Sequence, residues 1–232
     1  MDSRDWDERY AASELVWGAE PNRWVVRELT DLAPGRALDV AAGEGRNSIW
    51  LARRGWHVTG LDFSPVVLER AERLTADLPD EVADRLTWRH GDARELEASS
   101  EGYDLVLVAY LQLPAEDRRA ALVRAAAALA PGGTLLVIAH DSTNLTSGVG
   151  GPQDPSVLYT PDDVLADLDG AGLHTVRAER VRRLVDVEGG HRSAAVTGVA
   201  GVAGVAGATG GGAGAPQRTE AIDVLVRLER TA

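Results

Sequence analysis

Short apolar runs recur along the chain, separated by stretches of helical period. Residues 37–40, 58–61, 103–108 and 134–139 are the densest runs, each the length of a strand buried on both faces. Between them, residues 22–33, 47–54, 64–74 and 114–129 carry apolar positions at helical spacing. Ser64-Pro65 and Thr160-Pro161 place a capping side chain ahead of a proline, a pattern that opens helices, and Gly55 and Gly170 suit helix ends. A third strand is expected over Arg85–His90, and a sixth from His174 onward. Near the C-terminus Ile222, Val224, Val226 and Leu228 alternate with Asp223, Arg227 and Glu229, which predicts a half-buried strand.

One stretch, residues 36–64, reads as strand, glycine turn, helix and strand, ending in an acid. Ala41-Ala42-Gly43-Glu44-Gly45 is built of residues that let a backbone turn sharply and a ligand approach. Asp62 stands at the end of the second strand, where an ionised carboxylate can accept both hydroxyls of a ribose. A glycine turn followed by an acid about 20 residues on also describes dinucleotide-binding proteins. Here, however, the third position of that fingerprint is Ser48, neither Gly nor Ala.

The pattern Asp39-x-Ala41-x-Gly43-x-Gly45-Arg46-Asn47 resembles the first motif of class I S-adenosylmethionine-dependent methyltransferases. The Arg-Asn ending and the Trp-rich N-terminal segment look closest to the tellurite-resistance-type branch. The resemblance implies an α/β fold: a doubly wound, mostly parallel seven-stranded sheet with an antiparallel last strand, in one domain over 1–232. It implies S-adenosylmethionine along the C-terminal edge of the strands. Asp39, Gly43 and Gly45 would lie by its methionine part, Asp62 on the ribose, and Phe63, Asp92 and Ala93 around the adenine. Ala41 stands where the family usually has Gly. Arg46 either approaches the methionine carboxylate or solvates the helix start. Ala109 and Tyr110 follow the fourth strand at the ligand edge. Residues 1–33 resemble the family's N-terminal cover, in which Tyr10 and Trp17 would close over the cofactor; the alternative is a helix capping the sheet. The Ala-Leu-x-Pro-Gly-Gly-x-Leu sequence ending at Leu135 is a family hallmark with a structural task, a tight turn before the fifth strand.

Composition narrows the partners. A net charge of −12 argues against a nucleic-acid backbone as partner. The absence of cysteine removes thiolate nucleophiles and cysteine metal sites, and no cluster of His, Asp and Glu has metal-ligand spacing. No stretch reaches the ~20 apolar residues of a membrane span, and the charged N-terminus lacks a signal-peptide core. The expectation is a cytoplasmic monomer or homodimer acting on a small-molecule methyl acceptor. Residues 109–114, AYLQLP, replace the Asn/Asp-Pro-Pro-Tyr/Phe tetrapeptide of enzymes that methylate base amino groups, so base methylation is not expected. Residues 196–216, a Val-Ala-Gly repeat, are expected to form a disordered hairpin insertion.

Methyl transfer needs mainly alignment of acceptor and donor. Where the acceptor must lose a proton, an imidazole titrating near working pH is suited to take it. His57 and His174 begin strands, away from the ligand edge; His140 follows the fifth strand at that edge and is the candidate base, with Asp141 as a possible tautomer-setting partner. His191 with Arg192 is a second candidate, because the resembled branch also uses a His and an Arg near its acceptor. Two rival readings stay open: a nicotinamide-dependent oxidoreductase, and a module that binds S-adenosylmethionine without catalysis.

Overall fold

The computed structural model describes residues 20–97, 101–185 and 219–231. Tyr10, Trp17, His191, Arg192 and the 196–216 insertion lie outside the described residues. Seven strands form one sheet in the order β3-β2-β1-β4-β5-β7-β6. In chain order they are β1 (Arg36–Val40), β2 (His57–Asp62), β3 (Leu86–His90), β4 (Tyr103–Ala109), β5 (Leu129–His140), β6 (Leu173–Val185) and β7 (Thr219–Arg230). The first five strands pair in parallel, and β7 lies antiparallel to both of its neighbours. The doubly wound, seven-stranded architecture with an antiparallel last strand is therefore the one observed.

The helices are α1 (Arg23–Leu29), α2 (Arg46–Arg53), α3 (Pro65–Ala76), α4 (Asp80–Ala83), α5 (Ala115–Ala127), α6 (Asn144–Ser147) and α7 (Pro161–Asp167). Several start where the sequence supplies a cap. Ser64 accepts from the Val67 N–H ahead of α3, and Thr160 and Asp163 form a reciprocal capping box at α7. Each side of the sheet carries its own core. Trp24, Val25 and Leu29 of α1 and Leu51 and Ala52 of α2 pack on Leu105, Leu136, Ile138 and Leu225. Leu122 and Ala125 of α5 and Val164 of α7 pack on the opposite face, against Leu38, Val106, Val137 and Val224. Such alternation explains why the central strands are largely apolar on both faces.

Two expectations are corrected. Pro131-Gly132-Gly133 does not precede the fifth strand but lies inside β5. The register runs from Tyr103↔Leu129 to Leu105↔Thr134, so a two-residue step on β4 faces a five-residue step on β5. Gly132 at φ 76° lets the chain double back, and Gly133 lies so close to the Tyr103 carbonyl that a Cβ would stand 2.7 Å from it. The last strand is not half-buried. β7 sits between β5 and β6 rather than at an edge, so both of its faces are covered, and Asp223 and Leu225 are as buried as Val224 and Val226.

The glycine turn after β1 is wedged by an aromatic ring. A Cβ on Gly45 would stand 2.2 Å from the Trp88 ring of β3, and Gly45 itself has φ 84°. At Gly45 the space that a side chain would take is filled by this indole. Gly132, also at positive φ, has open space around it. Gly132→Ala is expected to cost about 1 kcal/mol of backbone strain, whereas Gly45→Ala adds a clash with the ring and should cost at least ~2 kcal/mol. Urea unfolding of the two variants checks this; equal losses would show that Trp88 yields freely.

Candidate functional site

The strand order reverses between β1 and β4, and at such a switch point an open α/β sheet presents a crevice at the C-terminal ends of its strands. Ala41 follows β1 and Tyr110 follows β4, and both hold left-handed backbone, at φ 58° and 61°. They are the two non-glycine positions with positive φ among the described residues. Each costs on the order of 1–3 kcal/mol, which the surrounding packing must hold in place.

Two carboxylates frame the turn. Asp62, at the end of β2, accepts the Gly43 N–H on Oδ2 at 2.9 Å and the Ser64 N–H on Oδ1 at 3.0 Å. Burial pushes this carboxyl above its ordinary range, and the backbone donors of Ser64, Gly43 and Phe63 partly offset the effect. Asp39, only 1% exposed on β1, accepts from Ser48 Oγ at 2.7 Å. That contact accounts for a serine at the third fingerprint position: an Ala or Gly would leave Asp39 without its hydroxyl donor. Burial raises the Asp39 pKa from 3.8 to about 7, with the Asp62 charge adding to the rise and Ser48 and Arg46 opposing it. Arg46, the first residue of α2, is pulled below its ordinary value by burial, while Tyr110 and Asp39 work to hold its charge.

The other expected cofactor positions are distributed as follows. Ala93 is buried and Asp92 caps the short 3-10 turn Ala93–Glu95. The Asp92 carboxylate is held by Arg94 at 2.6 Å, which lowers its pKa. Phe63 is half-buried beside Asp62, and its carbonyl lies 3.0 Å from His90 Nε2. Ala109 closes β4. Arg46 also lines a cavity of about 360 Å³ together with Glu20, Pro21, Ile49, Trp50 and Arg53.

On the β5–β7–β6 side, His140 and Asp223 are direct cross-strand partners. His140 Nδ1 faces Asp223 Oδ1 at 3.4 Å, and neither buried atom makes a hydrogen bond. The second Asp223 oxygen accepts from Arg183 Nε at 2.8 Å, Trp24 Nε1 at 3.1 Å and Tyr110 Oη at 3.2 Å. Burial alone would raise the Asp223 pKa, but the facing His140 ring, the Arg183 charge and the Trp24 indole outweigh it and hold it low. Tyr110 is pushed up to about 12 by burial and the Asp223 charge, so it acts as a neutral donor. Its ring lies 4.8 Å from that of His140, and Asn22 Nδ2 donates to its oxygen.

Asp141 does not serve His140. It projects to the opposite face of β5, as alternation along a strand requires, and there binds Arg180 Nε at 2.8 Å and Thr143. Sequence reasoning missed Asp223, Arg183, Asn22 and Ser48. Asp223 looked like the wet side of an alternating strand, and only its strand's place between β5 and β6 shows otherwise. Among the described residues no group of His, Asp and Glu is arranged to hold a metal ion, and no helix is long and apolar enough to cross a membrane.

Residues 37–133 match the family model of the methyltransferase domain. The chain is 35% identical over 112 residues to an uncharacterised methyltransferase of Mycobacterium tuberculosis, covering 48% of this chain and 54% of that one. It is 32% identical over 111 residues to a demethylmenaquinone methyltransferase of Clavibacter sepedonicus, covering 48% and 43%. The chain thus spans about half the length of these curated relatives. Among solved structures, the glycopeptide N-methyltransferase MtfA complexed with S-adenosyl-L-methionine aligns with TM-score 0.60 at 21% identity, over 93% of this chain and 89% of that one. A structure from work on the conversion of a disulfide bond into a thioacetal group during echinomycin biosynthesis aligns with TM-score 0.66 at 18% identity, over 99% and 92%. The match over residues 37–133 is to a methyltransferase domain, and the seven-stranded sheet has the fold of the solved structures with which it aligns. The matches do not single out the tellurite-resistance-type branch.

The buried Asp39 yields a pH prediction. Its folded pKa, about 7, exceeds the ordinary 3.8, so between those values the folded state holds a proton that the unfolded chain has released. Ionising Asp39 therefore costs stability as pH rises through that window. Asp39→Asn keeps an acceptor for Ser48 and removes the cost, so it should raise unfolding stability above pH 7 by up to ~4 kcal/mol. The gain should vanish at pH 4. Denaturant titrations at the two pH values measure it; a loss of stability at both would refute the argument.

Proposed function

We propose that the chain transfers the methyl group of S-adenosylmethionine to a small-molecule acceptor. The observation that carries the reading is the pair of charges at the switch point. Asp39 and Arg46 are electrostatically coupled beside the strained Ala41 turn, with Asp62 one strand away. An amino-acid zwitterion needs a carboxylate for its ammonium and a guanidinium for its carboxylate, and Asp39 and Arg46 supply that pair. A ribose needs an acceptor-only group, which Asp62 provides. A bound cation near Asp39 would also relieve the cost of ionising it. The domain match and the methyltransferase names of the relatives support the same reading.

The donor brings a sulfonium-activated methyl group, so this chain has to bind, orient and exclude water. Holding the acceptor in line can contribute roughly 7–11 kcal/mol to lowering the barrier. Asp39, Ala41, Gly43, Arg46 and Asp62 form the donor half. Ala109 and Tyr110, at the end of β4, belong to the cofactor side, and the ends of β5 and β7, with His140, form the acceptor half. Residues 1–33 would contribute the cover expected of Tyr10 and Trp17, and His191 with Arg192 remains a second candidate on the acceptor side. The acceptor is a small molecule, the enzyme works in the cytoplasm as a monomer or homodimer, and nucleic acid is not a partner.

Isothermal titration of S-adenosylmethionine and of NADH into the wild type and Asp62→Ala tests this. The expected outcome is binding of the methyl donor, weakened ~10–100-fold by loss of a charged hydrogen-bonding group, with no binding of NADH. Binding of NADH alone would replace the methyltransferase with an oxidoreductase. Donor binding without turnover of thiols, phenols or chalcogen oxyanions would favour a non-catalytic module.

A further inference from the structure

We infer that Asp223 is a positioning residue that fixes the tautomer of His140, making His140 Nε2 the group that takes a proton from an O–H or N–H acceptor. This deepens the methyltransferase reading and rests on it for the reaction, though the geometry stands alone.

Asp223 has zero exposure and lies directly across the β5–β7 ladder from His140. Side chains directly opposite in an antiparallel pair share a face. The groups around the imidazole leave few choices. On one side Oδ1 of Asp223 stands 3.4 Å from Nδ1, just beyond hydrogen-bond geometry, and both atoms are buried with no hydrogen-bond partner, so each is the nearest polar group able to satisfy the other. The remaining Asp223 oxygen is saturated by Arg183, Trp24 and Tyr110, all donors. Three donors on a single carboxylate, opposed by burial, hold Asp223 ionised. An ionised carboxylate only accepts, so in the neutral imidazole Nδ1 carries the hydrogen and Nε2 the lone pair. The Tyr110 ring packs on the imidazole, the Gly151 backbone lies against it, and the His140 backbone N–H beneath it is tied to Gln112 Oε1 at 2.8 Å. The ring is therefore held, not swinging.

In the transfer step the acceptor heteroatom forms a bond to the methyl carbon. The carbon–sulfur bond breaks with its electron pair passing to sulfur, and the acceptor's proton moves to His140 Nε2. The imidazolium so formed faces Asp223 until the proton is released to solvent. A hydroxyl or ammonium acceptor needs this proton removed; an already ionised oxyanion does not.

The test begins with the full chain labelled with ¹⁵N-histidine and read by long-range ¹H–¹⁵N correlation, His140 being assigned by the signal lost in His140→Gln. A single Nδ1–H tautomer is expected in the wild type, giving way in Asp223→Asn to Nε2–H or a mixture. A wild-type Nε2–H tautomer, or a tautomer unmoved in Asp223→Asn, overturns the inference. If Asp223→Asn does not fold, Asp223→Glu, which keeps the carboxylate, must retain Nδ1–H. The second arm follows turnover of catechol, a primary amine and selenite. With the hydroxyl or amine probe, His140→Gln and Asp223→Asn should each lower kcat ~10²–10⁴-fold. The double variant should be no slower than His140→Gln, and the affinity for S-adenosylmethionine should not change. Turnover of selenite alone, unaffected by His140→Gln, overturns the proton-accepting role. Failure of S-adenosylmethionine to bind at all would sink the methyltransferase reading while leaving the tautomer result intact.

Discussion

A carboxylate removed from water must be met by donors, or it costs several kcal/mol. Asp223 is the place where the structure meets that demand most fully. Its donors come from α1 (Trp24), the end of β4 (Tyr110) and β6 (Arg183), and its facing partner from β5 (His140). One buried charge thereby binds four elements that are remote in sequence. It also explains why α1 docks where it does: the Trp24 indole N–H would otherwise be buried without an acceptor. Asn22 extends the link. It caps α1, donates to Tyr110, and through its backbone N–H reaches Asn47 at the start of α2.

The donor half is arranged around the same physical problem with a different solution. Here two buried acids, Asp39 and Asp62, are satisfied by short-range partners: a serine nine residues on, and the backbone of the turn that they shape. Neither solution removes the full cost of burial, and both carboxyls sit above their ordinary range. Under-compensated acids suit the cationic group proposed to bind beside them. The strained backbones of Ala41 and Tyr110, on the two lips of the crevice, fit the same view, since such strain persists where the surroundings over-determine it.

The two halves differ in how general they are. The donor half uses turn geometry, a helix start and acids at strand ends, features that a shared fold reproduces. The proposed acceptor half rests instead on long-range contacts among side chains from the end of β4 and from β5, β6 and β7. Fold likeness at about 20% identity speaks to the architecture alone and assigns neither half its ligand.

The sequence by itself determined the strands, most helix starts, the glycine turn and the donor-side acids. These are local: apolar runs, caps and spacing act within a few residues, and Asp39, Gly43 and Asp62 fall within one β-α-β unit. Trp88 behind Gly45, and the extra residues of β5 at Pro131-Gly132-Gly133, already needed a neighbouring strand to be seen. Asp223 needed the whole sheet. Its period-two neighbours read as one wet and one dry face, and that reading holds only for a strand with solvent on one side. Insertion of β7 between β5 and β6 covered both faces and turned an apparent surface acid into the buried partner of His140. Strand order decides burial, and burial decides what a carboxylate can do.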